Sequence, residues 1–242
     1  MNAIDSMGFP GMLTGALAAD AVSMPVHWYY DREALARDYG FVDRYLAPKS
    51  PHADSILWRS KYEPLNERGD ILREQAQYWG RRGVHYHQFL AAGENTLNFQ
   101  LAVELFRFIR ANGKYDMEIW LERYIEFMLT PGRHCDTYVE EYHRGFFTNL
   151  ARGKKPEDCA IDDVHIGGLA QVPALIAAVG ARHHLIIEIV ETHVSLTHKN
   201  REVIRAAGCL AEIHRDVASG VDLREAILSR GSDYISKRKI SK

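Results

Sequence analysis

Segment 97–109 constrains the fold of this chain most, because its apolar residues recur at the spacing of one helix face. These residues are Leu97, Leu101, Ala102, Leu105, Phe106, Phe108 and Ile109. The pattern predicts an amphipathic helix with a wide buried face, ending near Gly113. A polar turn, Glu94-Asn95-Thr96, precedes this helix. Its three oxygen-bearing side chains should therefore lie at the helix entrance.

The rest of the chain is also dominated by helical patterns. Further helices are predicted at 11–22, 32–39, 117–128, 137–151, 169–179, 185–196, 201–218 and 223–229. Five of them follow a residue that commonly caps helices, namely Asp31, Asp116, Asp136, Asn200 and Asp222. No segment alternates polar and apolar residues over enough positions to indicate a sheet, and no internal repeat is visible. The sequence therefore predicts an all-α fold.

One domain is predicted, spanning residues 1–242. The chain has 242 residues and 46% hydrophobic content, which is enough for one large core. Segment 41–93 has the weakest periodicity and is interrupted by prolines and glycines. Long irregular stretches in compact domains are often lids or binding loops, and this segment is predicted to be one.

Charge and cysteine content restrict the partners and the compartment. Basic and acidic residues nearly balance, 30 against 32, so neither a nucleic acid nor an acidic membrane surface is expected as a partner. Three separated cysteines indicate a reducing compartment. Residues 1–9 lack the basic region of a signal peptide, and no stretch approaches the roughly 20 apolar residues of a membrane span. We expect a cytoplasmic protein with a solvated basic tail at 237–242.

The turn before segment 97–109 can be interpreted in two ways. The carboxylate, amide and hydroxyl of Glu94, Asn95 and Thr96 are hard oxygen ligands of the kind that Mg²⁺, Mn²⁺ or Ca²⁺ binds. Alternatively, Asn95 or Thr96 caps the helix and Glu94 interacts with the positive end of its dipole.

Other polar and aromatic positions also leave alternatives open. Asp20 ends a run of small apolar residues, so it either lines a cavity or caps the turn that follows. The aromatic cluster 26–30 is a pocket floor or part of the core. His85 and His87 should lie on one side of an extended segment, which makes a metal pair conceivable.

A second glycine-containing turn occurs at 161–168, ahead of another apolar run. Both turns lead into helix N-termini, whose free amides suit phosphate or another anion. From its local sequence, His198 is interpreted as a capping histidine or a satisfied buried histidine.

Four stretches together resemble the ADP-ribosylglycohydrolase family. The first is Gly15-Ala16-Leu17-Ala18-Ala19-Asp20-Ala21-Val22-Ser23-Met24-Pro25-Val26, and the others are Gly93-Glu94-Asn95-Thr96, Gly167-Gly168-Leu169-Ala170 and Thr197-His198. The resemblance covers about 11–220. It implies a compact, all-α multi-helix orthogonal bundle and magnesium-dependent hydrolysis of ADP-ribosyl linkages.

The chain also departs from the family pattern. The Thr-Asp-Asp of the family's metal motif is replaced by Gly93, Glu94 and Asn95, and His27 stands where many relatives have glutamate. The resemblance further implies a C-terminal glycine-rich segment with metal ligands, for which only the region around Asp233 is left. The domain is therefore expected to be incomplete at its C-terminus.

The resemblance assigns roles to individual residues. It implies that Glu94, Asn95 and Thr96 bind Mg²⁺ or Mn²⁺. It also implies catalytic roles for Glu94, as the general base, and for Asp20, which would lie near the metal. Further assignments are a catalytic role for His198 and substrate binding by His27, Gly167, Gly168 and Thr197.

The implied function is hydrolysis of an N- or O-glycosidic ADP-ribosyl linkage on a small molecule or a modified protein. The alternative is an inactive ADP-ribose- or nucleotide-binding module or a truncated relative. A homo-oligomer would cover an open C-terminal side.

Overall fold

The structure, a computed structural model, describes residues 9–240, with side chains described for 11–236. The predicted all-α fold is confirmed: helices dominate residues 9–240, and no strand occurs among them. The nearest approach to a sheet in this range is an isolated bridge between Ile161 and His198. The predictions for residues 1–8 and for the side chains of the basic tail lie outside the described residues.

The α-helices agree closely with the sequence pattern. They are α1 (Phe9–Ser23), α2 (Arg32–Asp38), α3 (Leu97–Asn112), α4 (Met117–Leu129), α5 (Glu141–Ala151), α6 (Val172–Val179), α7 (Ile186–Ser195), α8 (Arg201–Ala218) and α9 (Leu223–Ile240). Short 3₁₀ turns occur at Met24–Val26, Leu57–Arg59, Glu67–Gly69, Arg73–Tyr78, Pro156–Asp158 and Ile166–Gln171.

Four of the five predicted caps are confirmed. The side chains of Asp31, Asp116, Asn200 and Asp222 accept hydrogen bonds from the first-turn amides of α2, α4, α8 and α9. The cap predicted at Asp136 is wrong, because α5 begins five residues later and the Asp136 carboxylate is bound elsewhere. α9 also extends beyond the predicted end at Ser229.

Helix α3 lies at the centre of the fold, as its apolar pattern indicates. Leu97, Leu101, Leu105 and Ile109 are all buried. The helix packs against α6, which in turn contacts α1 and α7, and α7, α8 and α9 pack in succession. At its C-terminus, Gly113 has a φ of 75° and donates its N–H to Ile109 O, which closes the last turn. The entrance of α3 is thus held by the core.

The segment between α2 and α3 contains 3₁₀ turns but no α-helix. It is nevertheless packed, since Leu57, Ile71 and Trp79 are buried in the main core. The Tyr138 N–H donates to Tyr86 O at 3.0 Å, which places the end of this segment beside the strand-like stretch before α5. A lid or binding-loop role for the segment stays a prediction.

No helix in the described part of the chain combines the length and apolarity needed to cross a lipid bilayer.

Candidate functional site

A cleft of about 620 Å³ opens beside the entrance of α3. It is bounded by α1, the start of α3, the approach to α5 and the 3₁₀ turn Ile166–Gln171. Its polar lining consists of Asp20, Ser23, His27, His87, Thr96, Asn98, Asp136, Tyr138 and Glu140. The cleft therefore brings several titratable side chains together from four separate parts of the sequence.

Asp20 binds the turn that leads into α3. Its Oδ2 accepts from Thr96 N–H at 2.8 Å and from Asn95 Nδ2 at 2.9 Å, while its Oδ1 accepts from Thr96 Oγ1 at 2.8 Å. Burial raises the pKa of Asp20, and these hydrogen bonds oppose the increase. Asp20 thus both lines the cleft and caps a helix, although the helix is α3 and not the turn that follows Asp20.

The three predicted metal ligands lie in different surroundings. Thr96 lines the cleft but donates its hydroxyl to Asp20, and Asn95 donates its amide to Asp20 and to Leu17 O. Glu94 is exposed, accepts from Ala91 N–H at 2.7 Å and lines a separate groove. Thr96 has extended backbone angles, so neighbouring side chains point in different directions before the helix begins.

The side chains as arranged do not fit the Mg²⁺ or Mn²⁺ that the resemblance implies. Such a cation takes several carboxylate or carbonyl oxygens at short distance. The only carboxylate in the motif, Glu94, lines a separate groove together with Asn95, whereas Thr96 lines the cleft. Within the described residues, no three Asp, Glu, His or Cys side chains are grouped so as to hold a metal ion.

A chain of hydrogen bonds runs from a buried carboxylate to the cleft. Asp136 accepts from Leu97 N–H at 2.9 Å through Oδ2, and its Oδ1 lies 2.6 Å from His87 Nδ1. On the other side of the same ring, His87 Nε2 lies 3.0 Å from His27 Nδ1. All three residues line the cleft, and Asp136 has no solvent-accessible surface, so the chain runs along the cleft wall from a buried carboxyl to His27.

His85 supports this chain from behind. Its Nε2–H donates to Pro25 O at 3.0 Å, and its Nδ1 accepts from His87 N–H at 3.0 Å. Both nitrogens of His85 are therefore occupied, which argues against a metal pair with His87. Burial lowers the pKa of His85 to about 3 and that of His27 to about 4, because neither imidazolium would be well solvated.

A second network fixes Asn98 in the first turn of α3. Asn98 Oδ1 accepts from Tyr142 OH at 2.6 Å and from His143 Nε2–H at 3.1 Å. His143 is held in that tautomer because its Nδ1 accepts from Tyr124 OH at 2.6 Å. With its oxygen doubly occupied, Asn98 presents its amide NH₂ to Glu140, whose carboxyl it hydrogen-bonds.

Glu140 is a carboxyl with a free oxygen. Its Oε2 is buried and makes no hydrogen bond to the described residues. Burial raises the pKa of Glu140, while the Asn98 hydrogen bond opposes the increase. A Cβ on Gly167 would lie 1.9 Å from Oε2, so glycine is required there for the carboxyl to keep this position. Its environment thus favours the protonated form, and Oε2 is enclosed beside Gly167 without a hydrogen-bond partner among the described residues.

Thr197 and His198 lie behind the cleft wall. The wall here is the turn at Gly167 and Gly168, and the bridge between Ile161 and His198 joins the two segments. A Cβ on Gly168 would lie 2.6 Å from His198 Cε1. His198 is fully buried, and its Nδ1 lies 2.9 Å from Thr197 Oγ1. Of these predicted residues, Gly167 lines the cleft, and the other three support it.

Trp28 lines the mouth of the cleft next to His27. Its φ of 66° is in the left-handed region, which is strained for a bulky side chain. Its ring stacks on Tyr86 at 5.2 Å and contacts Tyr138 edge-on at 5.3 Å, and 37% of the residue stays exposed. The aromatic cluster is therefore partly core and partly cleft wall.

Four cleft residues in these hydrogen-bond networks receive no role from the family resemblance: His87, Asn98, Asp136 and Glu140. The spacing of His87 from His85 indicates that the two side chains share one side of the backbone, but it does not indicate which residue His87 binds. Asp136 was interpreted as a cap for the next helix. Glu140 and Asn98 had no local signal, because their roles depend on contacts between α3, α5 and the second glycine turn.

Comparison with known protein families identifies a match over most of the chain. The sequence model of the family described as ADP-ribosylglycohydrolase matches residues 8–241, which is nearly the whole chain. No curated protein matches the chain significantly.

Proposed function

Because the chain belongs to the ADP-ribosylglycohydrolase family, we propose that its cleft hydrolyses an ADP-ribosyl glycosidic linkage, on a small molecule or a modified protein. The observation that carries this proposal is the buried, partly unpartnered carboxyl of Glu140 in a cleft that also contains Asp20. A carboxyl whose pKa is raised by its environment can act as a general acid at neutral pH.

The proposed reaction cleaves the bond between the ribose anomeric carbon and its leaving atom. The bond breaks through a transition state with oxocarbenium character, and Glu140 donates its proton to the leaving atom. Asp20, whose carboxyl accepts three hydrogen bonds, would stabilise the positive charge that develops on the sugar ring. The exposed part of Trp28 offers a surface on which a nucleobase could stack.

The test compares two neighbouring glutamates. We expect Glu140→Gln to lower kcat on N- or O-linked ADP-ribosyl conjugates at least about 100-fold with little change in KM, because it removes the proton donor but keeps the shape. Glu141→Gln is the matched control, since Glu141 is exposed and does not line the cleft. The measurement is steady-state release of ADP-ribose. Equal activity of the two variants would exclude Glu140 as the acid.

A binding module without catalysis is the second candidate. It is favoured by the separation of the three predicted metal ligands, because the donor set that the family motif supplies is not assembled. Binding of ADP-ribose to a wild-type protein that hydrolyses none of the conjugates would support this alternative.

Metal binding by Glu94, Asn95 and Thr96 stays a prediction, and none of the steps above depends on it. Isothermal titration with Mg²⁺ and with Mn²⁺ tests it against a Glu94→Ala, Asn95→Ala double variant. Since the three side chains are divided between the cleft and a separate groove, we expect Kd to be weaker than millimolar. Tight binding that the double variant loses would instead establish the predicted ligands.

A cytoplasmic location and a homo-oligomeric state also stay predictions.

A further inference from the structure

We infer that Asp136, His87 and His27 form a proton-accepting chain that ends at Nε2 of His27, where it activates the hydrolytic water. This inference rests on the proposed function and adds the base that accompanies the acid Glu140. His27 would be the catalytic residue, because it contacts the water. His87 and Asp136 would be positioning residues that act through it.

The direction of hydrogen-bond donation along the chain follows from the buried carboxylate of Asp136. Asp136 Oδ2 accepts from Leu97 N–H at the positive end of α3. A carboxylate can only accept, so His87 Nδ1 must donate to Oδ1 at 2.6 Å. In a neutral His87, Nε2 is then an acceptor, and His27 Nδ1–H donates to it at 3.0 Å. This leaves His27 Nε2 with a free lone pair.

The free nitrogen can be reached from the cleft. His27 lines the cleft, and its Nε2 is neither hydrogen-bonded to a described residue nor among the buried atoms without partners. His85 fixes the backbone on both sides of the chain by binding Pro25 O and His87 N–H. The ring of His27 contacts that of His87 edge-on at 5.0 Å, which keeps the two nitrogens aligned.

The chain also determines where the positive charge goes. When His27 Nε2 takes a proton from water, its Nδ1 proton can pass to His87 Nε2. The imidazolium is then His87, in contact with the carboxylate of Asp136 and not isolated in the cleft wall. His27 is neutral again and carries the new proton on Nε2.

The step balances with Glu140 as donor. The water oxygen forms a bond to the anomeric carbon while the bond to the leaving atom breaks and its electron pair moves to that atom. The leaving atom takes the proton of Glu140, and the chain takes one proton from water. Solvent then returns the proton from the chain to Glu140, so both groups regain their starting states.

The first readout is the tautomer of His27, measured at neutral pH by long-range ¹H–¹⁵N correlation and assigned with His27→Gln and His87→Gln variants. We expect His27 to carry its proton on Nδ1. In Asp136→Asn, the amide oxygen would accept from Leu97 N–H and the NH₂ would donate to His87 Nδ1. His87 would then carry its proton on Nε2 and donate it to His27 Nδ1. His27 would therefore carry its own proton on Nε2. His193, which binds Tyr115 on another face of the protein, should not change.

The second readout is kinetic. Asp136→Asn should lower kcat at least about 100-fold with little change in KM. Asp116→Asn is the matched control, because Asp116 also accepts from a helix N-terminus but lies outside the cleft. A wild-type His27 with its proton on Nε2, or an Asp136→Asn variant with unchanged kcat, would overturn the inference. A wild type without hydrolytic activity would refute the proposed function, whereas the tautomer measurement would still decide whether the chain exists.

Discussion

Acidification from pH 7 to pH 5 is expected to destabilise this protein severely. Burial lowers the pKa of His27 and His198 to about 4 and that of His85 and His193 to about 3. Between these values and about pH 6.5, the unfolded chain binds protons that the folded chain does not. The free energy of unfolding must therefore fall as the pH falls through this interval.

The expected loss of unfolding free energy is large compared with the total stability of a domain. Each of these histidines costs up to about 1.4 kcal/mol per pH unit, or about 2 kcal/mol by pH 5. A domain has about 5–15 kcal/mol in total. Burial raises the pKa of Asp20 and Glu140, which acts in the opposite direction and offsets part of the loss. Denaturant unfolding at a series of pH values measures the net slope.

Single substitutions test whether the histidines cause this slope. His193→Phe should make the slope shallower by up to about 1.4 kcal/mol per pH unit, even if it lowers stability at pH 8. His184→Gln is the matched control, because His184 is exposed. Equal slopes in the two variants would exclude His193 as a source of the acid sensitivity.

Asp20→Ala should cost about 2–4 kcal/mol of unfolding free energy at neutral pH. The substitution removes the acceptor of Thr96 N–H, of Thr96 Oγ1–H and of one Asn95 amide hydrogen, while the other amide hydrogen still binds Leu17 O. Removing one partner of a buried hydrogen bond costs about 1–3 kcal/mol, and this site loses three bonds at once. Chemical denaturation with far-UV circular dichroism measures the difference.

The control is a carboxylate that caps a helix at the surface. Asp222 accepts from Arg224 N–H and Glu225 N–H at the start of α9, where water can replace it. Asp222→Ala should therefore cost about 1 kcal/mol. If Asp20→Ala costs no more than this, then Asp20 contributes as an ordinary cap, and the entrance of α3 does not depend on it.

The helical fold could be predicted because helix periodicity is a local property. The buried face of α3 follows from the spacing of Leu97, Leu101 and Leu105. Surface caps such as Asp116 were also predictable, since the capping side chain and the capped amides are a few residues apart.

The site was less predictable because its caps come from distant parts of the chain. An aspartate before an apolar run usually caps that run, yet Asp136 binds an amide 39 residues earlier, at Leu97. Asp20 likewise caps a helix 76 residues later, at Thr96. Sequence spacing indicates that an aspartate has a capping role, but only the tertiary fold determines which helix it caps.

Glu94 illustrates a different limit of predicting a site from sequence. Adjacent residues in a motif are easily assumed to share a function, but before a helix begins the chain has no common side-chain direction. Thr96 points into the cleft, whereas Glu94 points into a separate groove. Only the positions inside the first turn, such as Asn98, have directions that the helix itself fixes.

The two carboxylates at the entrance of α3 also make its first amides useful reporters of dynamics. Thr96 N–H exchanges with solvent deuterium only when it separates from Asp20, and Leu97 N–H only when it separates from Asp136. One amide therefore monitors the docking of α1, and the adjacent amide monitors the docking of the segment before α5. Different protection of these two neighbouring amides would reveal which wall of the cleft opens more often, without any ligand.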